Sequence, residues 1–186
     1  EAGSFDTGSE CVVLGYDPTD THTTGGFWEE LASTELSSGG NTLSSGVFTA
    51  KKYLWVQGYT LGTSGNEAAL RVGNGSVDTG SNYTYRYSSN GAADSTEINK
   101  TKLIDLTNTT PIFWNHFIIN NAANEKLIIA DIARQSTASA ANAPSRMESV
   151  EKWTNTSNQI NIIDFQNTGA GGEMSIGSTI KVWGSD

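Results

Sequence analysis

Short apolar runs recur along the chain from Phe27 onward, and clusters of Gly, Asn or Ser separate them. In the first long run, Tyr53, Trp55 and Tyr59 alternate with other residues, so they share one face of a predicted strand. The runs that predict strands are 51–61, 68–72, 82–87, 112–120, 126–133, 159–165 and 179–183.

The spacing of these runs predicts the fold class. They recur roughly every ten residues with turn residues between them, a pattern typical of a β-sandwich or a β-barrel. Helix signals are weak: segment 140–150 contains helix-forming residues but also Pro144, so we expect a loop there with at most one helical turn. The sequence shows no fixed repeat and no second composition block. We therefore predict one all-β domain over residues 27–186.

Residues 1–26 differ from the rest of the chain and are predicted to form an extended N-terminal arm. The segment is polar and contains one apolar run, Cys11, Val12, Val13 and Leu14. We expect the arm to lie on a neighbouring subunit through this run, or to add an edge strand; a solvated tail is the alternative. Because Cys11 is the only cysteine, a disulfide within the chain is excluded.

Composition narrows the classes of function. The 186 residues include 11 Lys and Arg against 20 Asp and Glu, which gives a formal net charge of -9. Nucleic-acid-binding surfaces and polybasic membrane-binding surfaces need an excess of positive charge, so we expect neither partner. Apolar runs also stay well short of the ~18 residues of a membrane-spanning helix.

The chain offers few residues suited to catalysis or metal binding. Its two histidines are His22, in the arm, and His116, in a predicted strand where packing is the expected role. The acidic residues near His22 follow no zinc or calcium ligand spacing. Residues 78–80 match the Asp-Thr-Gly of aspartic proteases, but the second copy that such an enzyme needs lies in the arm, at 6–8. We therefore predict a non-enzymatic protein without a cofactor or a metal site.

Two aromatic rows are candidates for a ligand or assembly surface. Tyr83, Tyr85 and Tyr87 share one strand face, with Arg86 next to them in sequence, and a second row lies within 53–59. An exposed row would favour a glycan or a protein partner, because flat rings stack on sugars and bury large areas. The alternative is that a row packs in the core, since one face of a sandwich sheet is buried.

The segment around the three tyrosines also carries a family resemblance. From Asp78 to Tyr87 the sequence reads D-T-G-S-N-Y-T-Y-R-Y, and a turn follows at Asn90-Gly91. This segment resembles one found in structural proteins of tailed-phage virions. The resemblance extends over most of 27–186. Further matching stretches lie at 27–31, 51–54, 124–126, 152–153, 159–162 and 182–184.

The resemblance implies a jelly-roll-like β-sandwich that belongs to a virion and has no enzymatic activity. The expected role is a capsid decoration or cement protein, or a head fibre, on the outside of the particle. Its partners would be the major capsid protein or other virion proteins. Decorations of this kind are most often homotrimers, and an arm donated to a neighbour would lock such an oligomer.

Two other classes of function remain open from the sequence. A receptor-binding or carbohydrate-binding module of a tail appendage would use an exposed aromatic row, with Arg86 as a polar contact to a glycan. A secreted surface-filament subunit would use residues 1–26 to complete the sheet of the next subunit, and it would be extracellular.

Overall fold

The computed structural model describes residues 27–63, 65–107 and 109–186. Within these ranges the chain forms strands and no helix. The strands are β1 (Glu29–Glu35), β2 (Thr42–Ser44), β3 (Tyr53–Thr60), β4 (Glu67–Asn74), β5 (Ser76–Val77), β6 (Tyr83–Ser89), β7 (Ser95–Lys100), β8 (Asp105–Thr107), β9 (Ile112–Ile119), β10 (Lys126–Arg134), β11 (Ser145–Trp153), β12 (Ile162–Asn167) and β13 (Thr179–Ser185).

These strands form two antiparallel sheets. The larger sheet has eight strands in the order β1-β13-β3-β9-β10-β11-β6-β7. The smaller sheet has the order β2-β12-β4-β5, and β8 also pairs with β4. The chain crosses between the sheets repeatedly, and the predicted fold class, an all-β sandwich, is confirmed.

The core lies between the two sheets and is built around large aromatic side chains. The rings of Trp114, on β9, and Phe165, on β12, lie 5.1 Å apart, and both residues are fully buried. The Trp114 indole donates a hydrogen bond to the Thr60 hydroxyl at 2.7 Å, which satisfies its one polar atom. Gly58 of β3 leaves room for this packing, because a Cβ there would lie 2.4 Å from the Phe165 ring. Contacts across the two sheets therefore fix their separation.

Lys126 is a buried lysine that connects two loops of the sandwich through hydrogen bonds. The Lys126 ammonium donates to the carbonyl oxygens of Asn124 and Asn155, at 2.8 and 2.7 Å, and lies 5.6 Å from the centre of the Trp153 ring. Its side chain is fully buried, so these partners replace water around the charge. Lys126 thus ties the β9–β10 loop to the loop that follows β11.

One prediction about secondary structure is wrong. A loop was expected over residues 140–150, but β11 begins at Ser145 and continues to Trp153. Its inward positions include Ser149 and Glu151, which are polar. This polar inner face removes the apolar alternation that predicts a strand.

Candidate assembly surface

The outer face of the eight-stranded sheet carries rows of side chains that run across the strands. Residues opposite one another in antiparallel strands point to the same side, so the register defines these rows. We name the longest row the apolar ladder: Trp183, Trp55, Phe117, Ile129 and Val150, from β13 across β3, β9 and β10 to β11. We name its neighbour the polar ladder: Lys181, Gln57, Asn115, Asp131 and Glu148.

Further apolar side chains extend this surface on both sides of the two ladders. Tyr53, Ile119 and Leu127 form a short row beyond the apolar ladder, and Tyr59 and Phe113 lie beyond the polar one. Leu127, Ile129 and Val150 are 57%, 60% and 55% exposed. Monomeric proteins rarely expose large apolar side chains in continuous rows, so the outer face is a candidate interaction surface.

Strands β9 and β10 carry the sequence signal for this surface. Both have large apolar residues at outward and inward positions alike, as at Phe117 and Ile118 or Ile128 and Ile129. Such strands are typical of sheets that are covered on both faces. In this chain the smaller sheet covers the inner face, while the outer face is open over the described residues.

Aromatic rings at one end of the apolar ladder pack on each other. The Trp55 ring stacks on Phe117, with centroids 5.7 Å apart and planes at 10°, and lies 4.9 Å from the Trp183 ring on its other side. Trp28 approaches Trp55 to 6.0 Å. The Trp55 indole donates to the Asn115 side-chain oxygen at 2.7 Å. Since Phe117 stacks on Trp55 and Trp183 packs against it at an interplanar angle of 32°, the Trp55 ring does not form an open platform for a sugar.

A groove of about 450 Å³ lies where the first described residues meet this face. Its lining is almost wholly apolar and includes Phe27, which at 69% exposure is the most exposed aromatic residue of the described ranges. The groove is lined by Phe27, Trp28, Tyr53, Leu54, Phe117, Ile118, Ile119, Leu127 and Ile129.

A second cleft, of about 330 Å³, lies beside the exposed rings of Tyr59 and Phe113. Residues 135–139, Asn142 and Pro144 of the β10–β11 connection form its other wall, and Arg134 adds a charged side chain. This cleft combines exposed rings with polar groups, which is a different chemistry from that of the apolar groove.

The surface predicted at Tyr83, Tyr85, Arg86 and Tyr87 is wrong for its tyrosines. Tyr83 and Tyr85 are 1% and 7% exposed and belong to the core, while Tyr87 is half-buried against it. Arg86 alone is exposed, on the outer face beside Val150, with its guanidinium 3.8 Å from Asp94. The interpretation of this row as core is confirmed for Tyr83 and Tyr85, and the 53–59 row is the one that faces outward.

The motif from Asp78 onward has a structural role in the fold. The Asp78 carboxylate accepts hydrogen bonds from the Trp153 indole at 2.8 Å, the Asn82 amide at 2.9 Å and the Gly80 N–H at 2.7 Å. Partial burial acts to raise the pKa of Asp78, but these hydrogen bonds outweigh it and lower the pKa. The Tyr83 hydroxyl lies 2.8 Å from the Asp78 carbonyl oxygen. These contacts order the β5–β6 loop.

Two buried titratable groups lie on the inner face of the larger sheet. His116 is fully buried, neither ring nitrogen has a hydrogen-bond partner among the described residues, and burial lowers its pKa to about 4. Burial raises the pKa of Glu151 to about 7, against the opposing hydrogen bonds from Ser149 and the Ile104 N–H. Neither side chain reaches solvent, so both lack the access that a substrate would need.

The described residues include no group of three or more His, Cys, Asp or Glu side chains placed to hold a metal ion. They also include no helix long and apolar enough to cross a membrane. The predicted assembly residues Cys11, Val12, Val13 and Leu14 lie outside the described ranges.

No family model, curated protein or solved structure matches this chain. The resemblance to virion proteins therefore stays a prediction from the motif residues.

Proposed function

We propose that this chain is a non-enzymatic structural protein on the outside of a virion, as a capsid decoration or cement protein or a head fibre. In this proposal it acts as a homo-oligomer that binds the major capsid protein or other virion proteins. The observation that carries the proposal is the apolar ladder across five strands, in which Phe117, Ile129 and Val150 are exposed. Large exposed apolar patches mark surfaces that partners cover, and the interfaces of permanent assemblies are the more apolar ones.

The chemistry of the ladder favours a protein partner over a glycan. Ile129, Val150 and the neighbouring Leu127 offer no hydrogen-bonding groups, whereas sugar hydroxyls need them. Protein interfaces, in contrast, have apolar centres with polar surroundings. The polar ladder and the charged residues at the sheet edges provide those surroundings.

Imaging of virions that carry matched variants tests this proposal. Ile129 and Ile176 are 60% and 65% exposed, but only Ile129 lies on the apolar ladder. We expect wild-type protein and Ile176→Ser to give regular density on the capsid exterior. We expect Ile129→Ser to lower the occupancy at least tenfold. Copies that associate through the ladder bind the capsid multivalently, and loss of that association removes the gain in affinity. Absence of the wild-type chain from every particle contradicts the proposal.

A glycan-binding tail appendage is the second candidate function, and the cleft beside Tyr59 and Phe113 is the observation that favours it. The two rings are 40% and 44% exposed, and Arg134 and Asn142 provide polar groups nearby. Density at a tail or fibre tip alone, with glycan-array binding that Tyr59→Ala abolishes, would replace the capsid proposal with this one.

A further inference from the structure

We propose that the outer face of the eight-stranded sheet pairs with the same face of a second copy of this chain. The two copies are related by a two-fold axis parallel to the strands, between β3 and β9. This inference rests on the proposed function in one respect: it takes the outer face as the assembly surface and names its occupant.

The register of the sheet determines which residues meet. Rotation about this axis exchanges β3 with β9 and β13 with β10, and each ladder stays on its own level. Trp55 then faces Phe117 of the second copy, and Trp183 faces Ile129 of the second copy. Apolar side chains therefore meet apolar side chains from β13 to β10, while at the edge Val150 of β11 faces Glu30 of the second copy. Each contact occurs twice, as the isologous interface of a two-fold dimer requires.

The charges on the same face are complementary under this rotation. In the polar ladder Lys181 lies on β13 and Asp131 on β10, so each Lys181 faces the Asp131 of the second copy. The Asp131 carboxylate has no hydrogen bond or ion pair within the described part of the chain. Within the same described ranges, the one ion-pair contact of Lys181 is with Glu30, at 3.8 Å. Both groups are thus available for the pair.

A second pair of charges follows the same arrangement near the edges of the interface. The rotation exchanges β1 with β11, which brings Glu35 opposite Arg146 of the second copy. The dimer would then contain four intermolecular pairs of opposite charge around an apolar centre. Such complementarity selects one register among the many that an apolar face alone permits.

The area of the face agrees with a stable dimer. The six strands from β1 to β11 lie about 4.8 Å apart and rise about 3.3 Å per residue, which gives roughly 700 Å² of face per copy. Stable interfaces bury about 800 Å² per partner. Aligned sheets pack about 10 Å apart, so side chains of both faces would interdigitate as in a protein core.

A charge-swap series on the full chain tests the pairing. We expect light scattering to give the wild type a mass of twice 19.8 kDa at micromolar concentration. Asp131→Lys and Lys181→Glu should each raise the dimer dissociation constant about tenfold, because two symmetric attractions become repulsions. The double variant should recover the wild-type constant to within about threefold, and 1 M salt should reduce the single-variant defects.

Glu173→Lys is the control, since it makes the same charge change at an exposed loop site outside the ladders. Circular dichroism checks that each variant keeps the fold. A monomeric or trimeric wild type, or a double variant that stays as weak as the singles, overturns the pairing. Those results leave the proposed function standing if Ile129→Ser still removes the chain from particles.

Discussion

Two buried side chains set the pH dependence of stability at the residue scale. Glu151 has a folded pKa of about 7, above its ordinary 4.5, so its contribution to stability is complete below pH 4.5 and is lost as pH rises through 7. His116 has a folded pKa of about 4, below its ordinary 6.5, so its contribution is complete above pH 6.5 and is lost as pH falls through 4. Between pH 4.5 and 6.5 the two slopes have opposite signs and nearly cancel.

Single substitutions should reveal each slope. With His116→Leu, the free energy of unfolding should fall between pH 4.5 and 7, by about 3 kcal/mol, because among the described groups Glu151 then keeps the pKa shift that spans this range. With Glu151→Gln it should rise by a similar amount between pH 4 and 6.5. Urea denaturation across this range measures both curves. Flat curves for both variants, like that expected of the wild type, would contradict the assignment.

Alternation in the sequence identifies strand faces but not which face is inward. It groups Tyr83 with Tyr85 and Trp55 with Tyr59 correctly. The first pair is buried and the second is not, because burial depends on which side of the larger sheet the smaller sheet covers. Which side is covered depends on how the connections between strands pass from one sheet to the other, and the sequence of a single strand does not determine this.

At the scale of elements, the β5–β6 loop depends on one carboxylate. Asp78→Ala removes the carboxylate that accepts hydrogen bonds from the Trp153 indole, the Asn82 amide and the Gly80 N–H. Trp153 is only 2% exposed, so its indole N–H would be left buried without this partner. A buried donor without a partner is costly, so we expect a loss of about 2 kcal/mol in unfolding free energy. Thr79→Ala, at an exposed neighbouring position, should change it by less than about 0.5 kcal/mol.

A double-mutant cycle separates this hydrogen bond from general loop damage. Trp153→Phe removes the indole N–H, so its cost should be at least about 1 kcal/mol smaller in the Asp78→Ala background. Additive costs would show that the two side chains act independently. Chemical denaturation of the four proteins provides the comparison.

Elements with strong apolar alternation are predictable from the sequence, and those with polar inner faces are not. β3, β9 and β10 follow their predicted runs to within a few residues. β7 and β11 were missed, because Glu97 and Glu151 occupy positions where an amphipathic strand would have apolar residues. The exposed apolar side chains of the outer face could be predicted from the sequence, because β9 and β10 have large apolar residues at both outward and inward positions.

For the whole molecule, residues 1–26, which the sequence predicts to form an arm, give the next prediction. Removal of residues 1–20 deletes the apolar run Cys11–Leu14, whereas removal of residues 1–10 retains it. If that run contacts a neighbour, the longer deletion should lower particle occupancy at least tenfold and the shorter one should not. The same virion imaging measures both. Equal occupancy for the two truncated chains and the wild type would refute the arm hypothesis.

The position of β13 has a consequence for synthesis of the protein. This last strand of the chain inserts between β1 and β3, more than 100 residues away along the sequence. Such non-local pairing makes closure of the sheet a late and slow event. Trp183 and Lys181 arrive with β13, so a nascent chain on the ribosome lacks part of the ladders until then. Under the proposed pairing, two copies therefore associate only after β13 has joined the larger sheet and completed both ladders.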